Sequence, residues 1–199
     1  ARVNPGDAPH LILLPEAPID EALLLERIRA VQAEKGICLI AAAEGACDTQ
    51  GRYLAEKLGS GGADGSGQPI LSMGAGVAAY LATLVQHELG LRCRQLRPNT
   101  LQRATSALAV AEVDRMIAHM AGAAAAEAAL AGCSDVMTGL TCTDGAWGTR
   151  HVALADVIGR TITVPRTMIS ADGLDVTAAF VEYVAPLIGA MPPAPVLWI

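Results

Sequence analysis

Four arginines fall within Leu91–Arg103 (LRCRQLRPNTLQR) of this 199-residue chain: Arg92, Arg94, Arg97 and Arg103. A guanidinium offers a planar fork of N–H donors that matches a phosphate or a carboxylate at two points, so clustered arginines are chemistry for an anion. In the first half of the segment they alternate with Leu91, Cys93 and Leu96, close to period two. That pattern predicts a strand with Arg92 and Arg94 on one face and the apolar residues on the other. Pro98 ends it, because proline gives no N–H to a ladder and holds Arg97 extended. Asn99, Thr100, Gln102 and Arg103 then fall in the exit loop, where parallel α/β sheets keep their ligands. A surface strand solvated by arginine satisfies the same charge pattern.

Other residue types point to chemistry more weakly. Glu44, Gly45 and Asp48 follow the apolar run Ile37–Ala43, so a carboxylate stands just outside a buried strand; a solvated strand-end acid reads the same way. Gly74, Gly76 and Ala79 spell G-x-G-x-x-A before an amphipathic helix, and Arg94 stands where a 2′-phosphate reader would, which keeps an NADP-dependent oxidoreductase as a rival reading. The preceding strand is very short and follows a glycine-rich loop rather than opening a β-α-β domain, so close helix packing is the simpler account of the glycines. Gly59–Gly67 (GSGGADGSG) reads as a surface loop without the Lys-Ser/Thr of a phosphate cradle. Five cysteines lack a C-x-x-C spacing and four histidines lack ligand spacing, so reduced thiols in a cytosolic protein are expected and no metal site is. Asp114 and Arg115 interrupt an apolar helical face, where cross-helix pairing is expected, and His119 reads as a packed or surface residue.

The elements that position these residues follow from apolar patterning. His10–Leu14 and Ile37–Ala43 are continuous apolar runs, and between them lies a helix with Ala22, Leu23, Leu24, Ile28 and Val31 as its buried stripe. Asp20 caps its start and Gly36 stops it. This is a β-α-β unit, hence a parallel sheet with a right-handed crossover. Val77–Leu89 predicts another helix. Ala104–Gly132 predicts two, broken near Gly122, and Asp135–Leu140 a strand. Val152–Val157 reads as a short strand or helical turn, and the tail from Asp175 as a helix capped by Asp172 and Asp175. Apolar residues at 52% and charged residues at 17% leave much of the chain to be buried between layers. A net charge of −6 argues against a nucleic-acid or anionic-membrane partner. The sequence shows no signal peptide or transmembrane run, and its start at Ala1 without Met looks like a cut inside a longer protein.

In order and spacing, four segments resemble the carboxyl-terminal half of a phosphofructokinase. They are LLPEAP (Leu13–Pro18), AAAEGA (Ala41–Ala46), RQLRPNTLQRATSALAVAEVDR (Arg94–Arg115) and DVTAAFVEYVAPLIG (Asp175–Gly189). The PNTLQR and PLIG segments are most similar to the pyrophosphate-dependent branch, with ATP-dependent members as the alternative. The resemblance implies a three-layer α/β/α fold with a mainly parallel sheet, incomplete here. It implies a sugar-phosphate lobe over 1–103, helices and a strand returning to the donor side over 104–150, and a terminal tail over 151–199. Glu44 matches the acid that hydrogen-bonds fructose 6-phosphate hydroxyls, Arg103 the arginine on the sugar phosphate, and Arg94 an arginine that reaches a neighbouring subunit's sugar site. Thr100 stands where many ATP-dependent members have histidine, and Glu16 corresponds to an acid near the effector site of regulated members. The implied reaction moves a phosphoryl group from pyrophosphate or ATP to the C1 hydroxyl of fructose 6-phosphate, with Mg²⁺. The general base and the metal ligands are expected upstream of this chain, which is then not catalytically competent alone. A cytoplasmic glycolytic homo-oligomer, dimer or tetramer, is implied, and a non-catalytic fragment or interaction module is the other reading.

Overall fold

The computed structural model describes residues 6–59, 76–98 and 110–188. Thr100, Gln102, Arg103, Gly74, the glycine-rich loop beyond Gly59 and the tail beyond Ile188 lie outside the described residues. The chain divides into two compact units, Ala1–Asn99 with Val164–Val181 and Ala194–Ile199, and Thr100–Thr163 with Glu182–Pro193.

The first unit is built on β1 (Leu11–Leu13), α1 (Glu21–Lys35) and β2 (Ile40–Ala42). The two strands pair in parallel, Leu11 with Ile40 and Leu13 with Ala42, as a helical crossover requires. His10 and Leu39 extend the pairing: His10 N donates to the Leu39 carbonyl at 2.7 Å, and Leu39 N donates to His10 Nδ1 at 2.9 Å. Asp20 Oδ1 accepts from the N–H groups of Ala22 and Leu23 at 2.9 and 3.2 Å, satisfying donors that a helix start leaves open. Gly36 closes α1 in the left-handed region (φ 73°), its N–H on the Gln32 carbonyl.

On its other edge β1 meets a distant segment, where Ile12 N donates to the Leu174 carbonyl at 2.9 Å. Leu174 lies in a turn tied by Ser170, Asp172 and Asp175. Asp172 Oδ1 accepts from Leu174 N and Asp175 Oδ1 from Val176 N. These two acids therefore shape a turn rather than cap the tail helix, which begins later, at α5 (Ala178–Ile188). Leu11, Leu13, Ile19, Leu24, Leu54 and Leu174 are the largest fully buried side chains and centre one apolar cluster. Each contributes about 1.5–3 kcal/mol by leaving water.

α2 (Gly76–Leu89) packs against this cluster through Val77, Leu81 and Val85. Tyr80 meets Glu21 near its start, while Val85 faces Ile28 and Gln32 across a cavity farther along, so α1 and α2 run in the same direction. The arginine segment that follows differs from expectation. Among the described residues, 90–98 join no strand ladder. Cys93 and Leu91 pack beside the core and Arg97 returns to Gly76, so the segment travels back along α2. Seven extended residue steps cover about 23 Å, and the 14-residue helix spans about 21 Å. The two lengths match. The segment thus runs in the direction of β1 and β2, with no ladder to them among the described residues.

The second unit contains α3 (Glu112–Leu130) and a hairpin of β3 (Val136–Thr143) and β4 (Ala146–Ala153), followed by a helical turn, α4 (Leu154–Val157). α3 is continuous through Gly122. One glycine costs about 1 kcal/mol relative to alanine, too little to break a helix flanked by an alanine run. Asp144 and Gly145, both with positive φ, make the two-residue turn of the hairpin. Asp114, Arg115 and His119 are exposed on α3, and Arg115 pairs with Glu112 of the same helix rather than across helices.

Candidate functional site

β2 ends at Ala42 and the chain turns at once. Ala46 N donates to the Ala43 carbonyl at 3.1 Å, leaving Glu44 and Gly45 at the tip of the turn. Glu44 is exposed there, just beyond the carboxyl end of the parallel pair. Gly45 lies over the Pro15 ring, where an added Cβ would sit 3.4 Å from Pro15 Cγ. Past the tip the chain is fixed again. Ala46 is fully buried, Leu54 N donates to its carbonyl at 2.9 Å, and Ile19 N donates to the Cys47 carbonyl at 2.8 Å.

Asp48, 5% exposed, is the buried charged side chain of this region. Its Oδ1 accepts from the N–H groups of Gln50 and Arg52 at 2.9 and 3.0 Å, and its Oδ2 from Arg52 Nε at 3.1 Å. Lys57 Nζ stands 2.8 Å from Asp48 Oδ2 and 2.5 Å from Glu21 Oε1. Tyr80 Oη donates to the same Glu21 oxygen at 2.6 Å, and the Lys57 ammonium lies 5.1 Å from the Tyr80 ring centre. Two carboxylates and two cations balance.

The electrostatics follow from these contacts. The Lys57 hydrogen bond, then the Arg52 backbone N–H, hold the Asp48 carboxyl well below the usual carboxylate range against the effect of burial. Burial would lower Lys57, but its bonds to Asp48 and Glu21 outweigh that and raise it. Burial pushes Glu21 up, yet Lys57 and Tyr80 bring it below its ordinary value. Burial and the Glu21 carboxylate raise the Tyr80 phenol. Glu21, Asp48, Lys57 and Tyr80 thus form one ion-paired and hydrogen-bonded cluster that joins the loop to both helices.

Of the residues singled out from sequence, the structure brings the Glu44 turn and Arg97 to the same end of the first unit. The carboxyl end of β2 and the start of α2 share that end, and Arg97 Nη2 lies 3.1 Å from where a Cβ on Gly76 would be. Arg92 lies toward the other end, lining a cavity of about 260 Å³ with Cys38, Cys93, Gln32 and Val85. Arg94 is exposed between the two. Thr100 and Arg103 lie outside the described residues. Glu16 Oε1 accepts from Val164 N at 2.9 Å, while Oε2 is buried and, among the described residues, without a hydrogen-bond partner. All five cysteines are free, and burial raises the thiols of Cys38 and Cys93. Among the described residues no three His, Cys, Asp or Glu side chains converge as a metal site. Sequence reasoning picked out Asp48 but missed Lys57, Glu21 and Tyr80 as its setting. The available signal was a lysine, one of only two in the chain, beside the apolar pair Leu54 and Ala55.

No protein-family model matches the chain. It is 34% identical over 188 residues to the pyrophosphate–fructose 6-phosphate 1-phosphotransferase of Xanthomonas campestris pv. campestris, covering 93% of this chain and 44% of that protein. The protein of the same name from Halomonas elongata is 34% identical over 186 residues, covering 92% and 43%. The crystal structure of a pyrophosphate-dependent phosphofructokinase from Marinobacter aquaeolei superposes with a TM-score of 0.75 at 26% identity, over 96% of this chain and 43% of that one. That from Nitrosospira multiformis gives 0.73 at 26%, over 92% and 41%. The chain therefore spans less than half the length of the relatives it matches. Sequence and fold agree over nearly all of its residues, and what the chain is similar to is one part, under half, of pyrophosphate-dependent phosphofructokinases.

Proposed function

We propose that this chain forms the acceptor side of a pyrophosphate-dependent phosphofructokinase, the part that holds fructose 6-phosphate while a phosphoryl group passes from pyrophosphate to its C1 hydroxyl. The observation that carries the reading is the exposed Glu44 at the exit of the parallel pair, with the arginine segment returning to that same end. Ligands of open α/β sheets bind outside the carboxyl ends of the strands. In this reading Glu44 accepts hydrogen bonds from sugar hydroxyls and fixes the ring. Arg103 and Arg94 hold the 6-phosphate by charge-assisted bonds, and Thr100 adds a hydroxyl contact. The first unit then forms much of the sugar-phosphate lobe.

Phosphoryl transfer rests on positioning and charge neutralisation. This chain supplies the positioning of the acceptor; the base and donor contacts are assigned to the part of the family's length it does not span, so alone it binds without turning over. Mg²⁺ would neutralise the donor phosphates; the described residues offer no ligand set for it, and its ligands are assigned to the part of the relatives' length that this chain does not span. A cytoplasmic homo-oligomer is the accompanying expectation, supported by the free thiols and by the role that the resemblance gives Arg94. No described helix is long and apolar enough to cross a membrane.

The test is a calorimetric titration of the chain with fructose 6-phosphate, with NADPH as comparison. Saturable sugar-phosphate binding is expected. Arg103→Ala should weaken it by about 1.5–3 kcal/mol, the range for a hydrogen bond to a charged group. Binding of NADPH alone would overturn the reading in favour of the oxidoreductase.

A further inference from the structure

Among the described residues, the Glu44 side chain is exposed and takes no part in the hydrogen bonds that close its own turn. The turn is closed by Ala46 N on the Ala43 carbonyl, and Ala46 is held in place by Leu54 N on its carbonyl. Between Ala46 and Leu54 the chain forms a closed loop. Cys47 bridges Tyr53 in antiparallel fashion, Asp48 N donates to the Arg52 carbonyl at 3.0 Å, and Gly51 N donates to the Asp48 carbonyl at 2.9 Å. Asp48 fills the centre of that loop, and Lys57 is its ion-pair link to the helices, beside the apolar packing of Leu54. From Lys57 the contacts pass to Glu21 in the first turn of α1 and through it to Tyr80 in the second turn of α2.

We propose that Lys57, acting through Asp48, is the positioning residue for the strand-exit turn that presents Glu44 to the sugar phosphate. This rests on the reading of Glu44 given above. The chemistry suits the task. A compact ammonium distributes its donors among partners on separate elements, here two carboxylates, and sits over an aromatic ring. The loop has a short backbone, and a carboxylate buried at its centre is costly without its cation. Removing the ammonium leaves Asp48 with Arg52 of its own loop and cuts the ion-pair tie to both helices, while Leu54 keeps its apolar packing against them. The expected result is local: the loop and the Glu44 turn loosen, while β1 and α1, which keep their ladder and helical hydrogen bonds, do not.

The experiment compares the chain with Lys57→Met in two measurements. The first, amide hydrogen exchange, needs no ligand. The Ala46 and Leu54 amides should exchange roughly tenfold faster or more in the variant, with Ile12 and Leu24 unchanged. Equal rates at Ala46 and Leu54 would overturn the proposal. So would an acceleration shared equally by Ile12 and Leu24, which would make Lys57 a general stabiliser. The second is the titration with fructose 6-phosphate, run on Lys57→Met, Glu44→Gln and the double variant. If Lys57 works through Glu44, the double variant binds no more weakly than Glu44→Gln alone; multiplied losses would mean independent action and overturn the proposal. Failure of the unaltered chain to bind, with the exchange result intact, would remove the sugar-phosphate reading and leave the loop-positioning role of Lys57 standing.

Discussion

Gly36 and Gly173 form a matched pair, because their backbones are alike and their surroundings are not. Gly36 has φ 73° and Gly173 φ 74°, both in the left-handed region. A Cβ added at Gly36 meets nothing within 4 Å, whereas one at Gly173 falls 3.2 Å from the Ala17 Cβ. An L-residue in this region costs roughly 1–2 kcal/mol, and the stiffer unfolded chain returns about 0.4–1 kcal/mol. Gly36→Ala should therefore lose about 0.5–1 kcal/mol. At Gly173 the methyl must also displace Ala17, which is 3% exposed and carries its methyl directly on the backbone, so no side-chain rotation relieves the contact. Overpacking of this kind adds about 1.5–2 kcal/mol, for a total near 2–3 kcal/mol. The strain lands beside Leu174, whose carbonyl accepts from Ile12 on the edge of β1. At about 2–4 °C per kcal/mol for a chain of this size, the fall in Tm followed by circular dichroism should be about 1–4 °C for Gly36→Ala and about 4–12 °C for Gly173→Ala. Equal falls, or a larger one at Gly36, would refute the reasoning.

Tyr80→Phe keeps the ring under Lys57 and removes the hydroxyl from half-buried Glu21. Partial access of water limits the loss to about 1 kcal/mol, read as a shift in the urea midpoint without a change in slope. Glu21 and Asp172 both titrate below their ordinary values in the folded chain, because hydrogen bonds and neighbouring cations outweigh burial. Their contribution is present above the unfolded carboxylate range and lost as pH falls through it. Urea unfolding should show steady stability above about pH 5.5 and a decline below about pH 4. Lys57 has the opposite sign, its folded value being raised, so a second decline should begin above about pH 10, where the unfolded lysine sheds its proton. Glu44→Gln should weaken fructose 6-phosphate binding by roughly tenfold while leaving Tm within about 1 °C, since the side chain is exposed and fixes nothing in its own turn.

The β1–α1–β2 unit was legible because its signals are local. Two continuous apolar runs, the Asp20 cap and the Gly36 stop each act within a few residues of where they stand. The arginine segment was legible only in part. Alternation of Arg92, Cys93 and Arg94 marks an extended chain with two faces, but a ladder also needs a neighbour whose N–H and C=O groups are in reach, and no local pattern encodes that. The strand expected over Asp135–Leu140 is there, and the Asp144-Gly145 turn signal carries it on into an antiparallel partner, Ala146–Ala153. Gly122 misled in the other direction, its propensity cost being smaller than the support of the helix around it. Glu44 and Asp48 could be picked out at the end of an apolar run. Their setting could not, since Glu21, Asp48, Lys57 and Tyr80 are brought together by tertiary packing alone.

Lys57 also gives this chain an uncommon chemical economy. Twelve of its fourteen basic side chains are arginine, leaving Lys35 and Lys57 as the lysine amines. Lys35 is one-third exposed beside Glu34, while the Lys57 side chain is 16% exposed and its amine is held protonated by two carboxylates. Acylating reagents attack the free base, so Lys57 is shielded twice, by access and by protonation. In this protein an acyl group on Lys57 is a record of the loop having opened, written at a single atom and readable by mass.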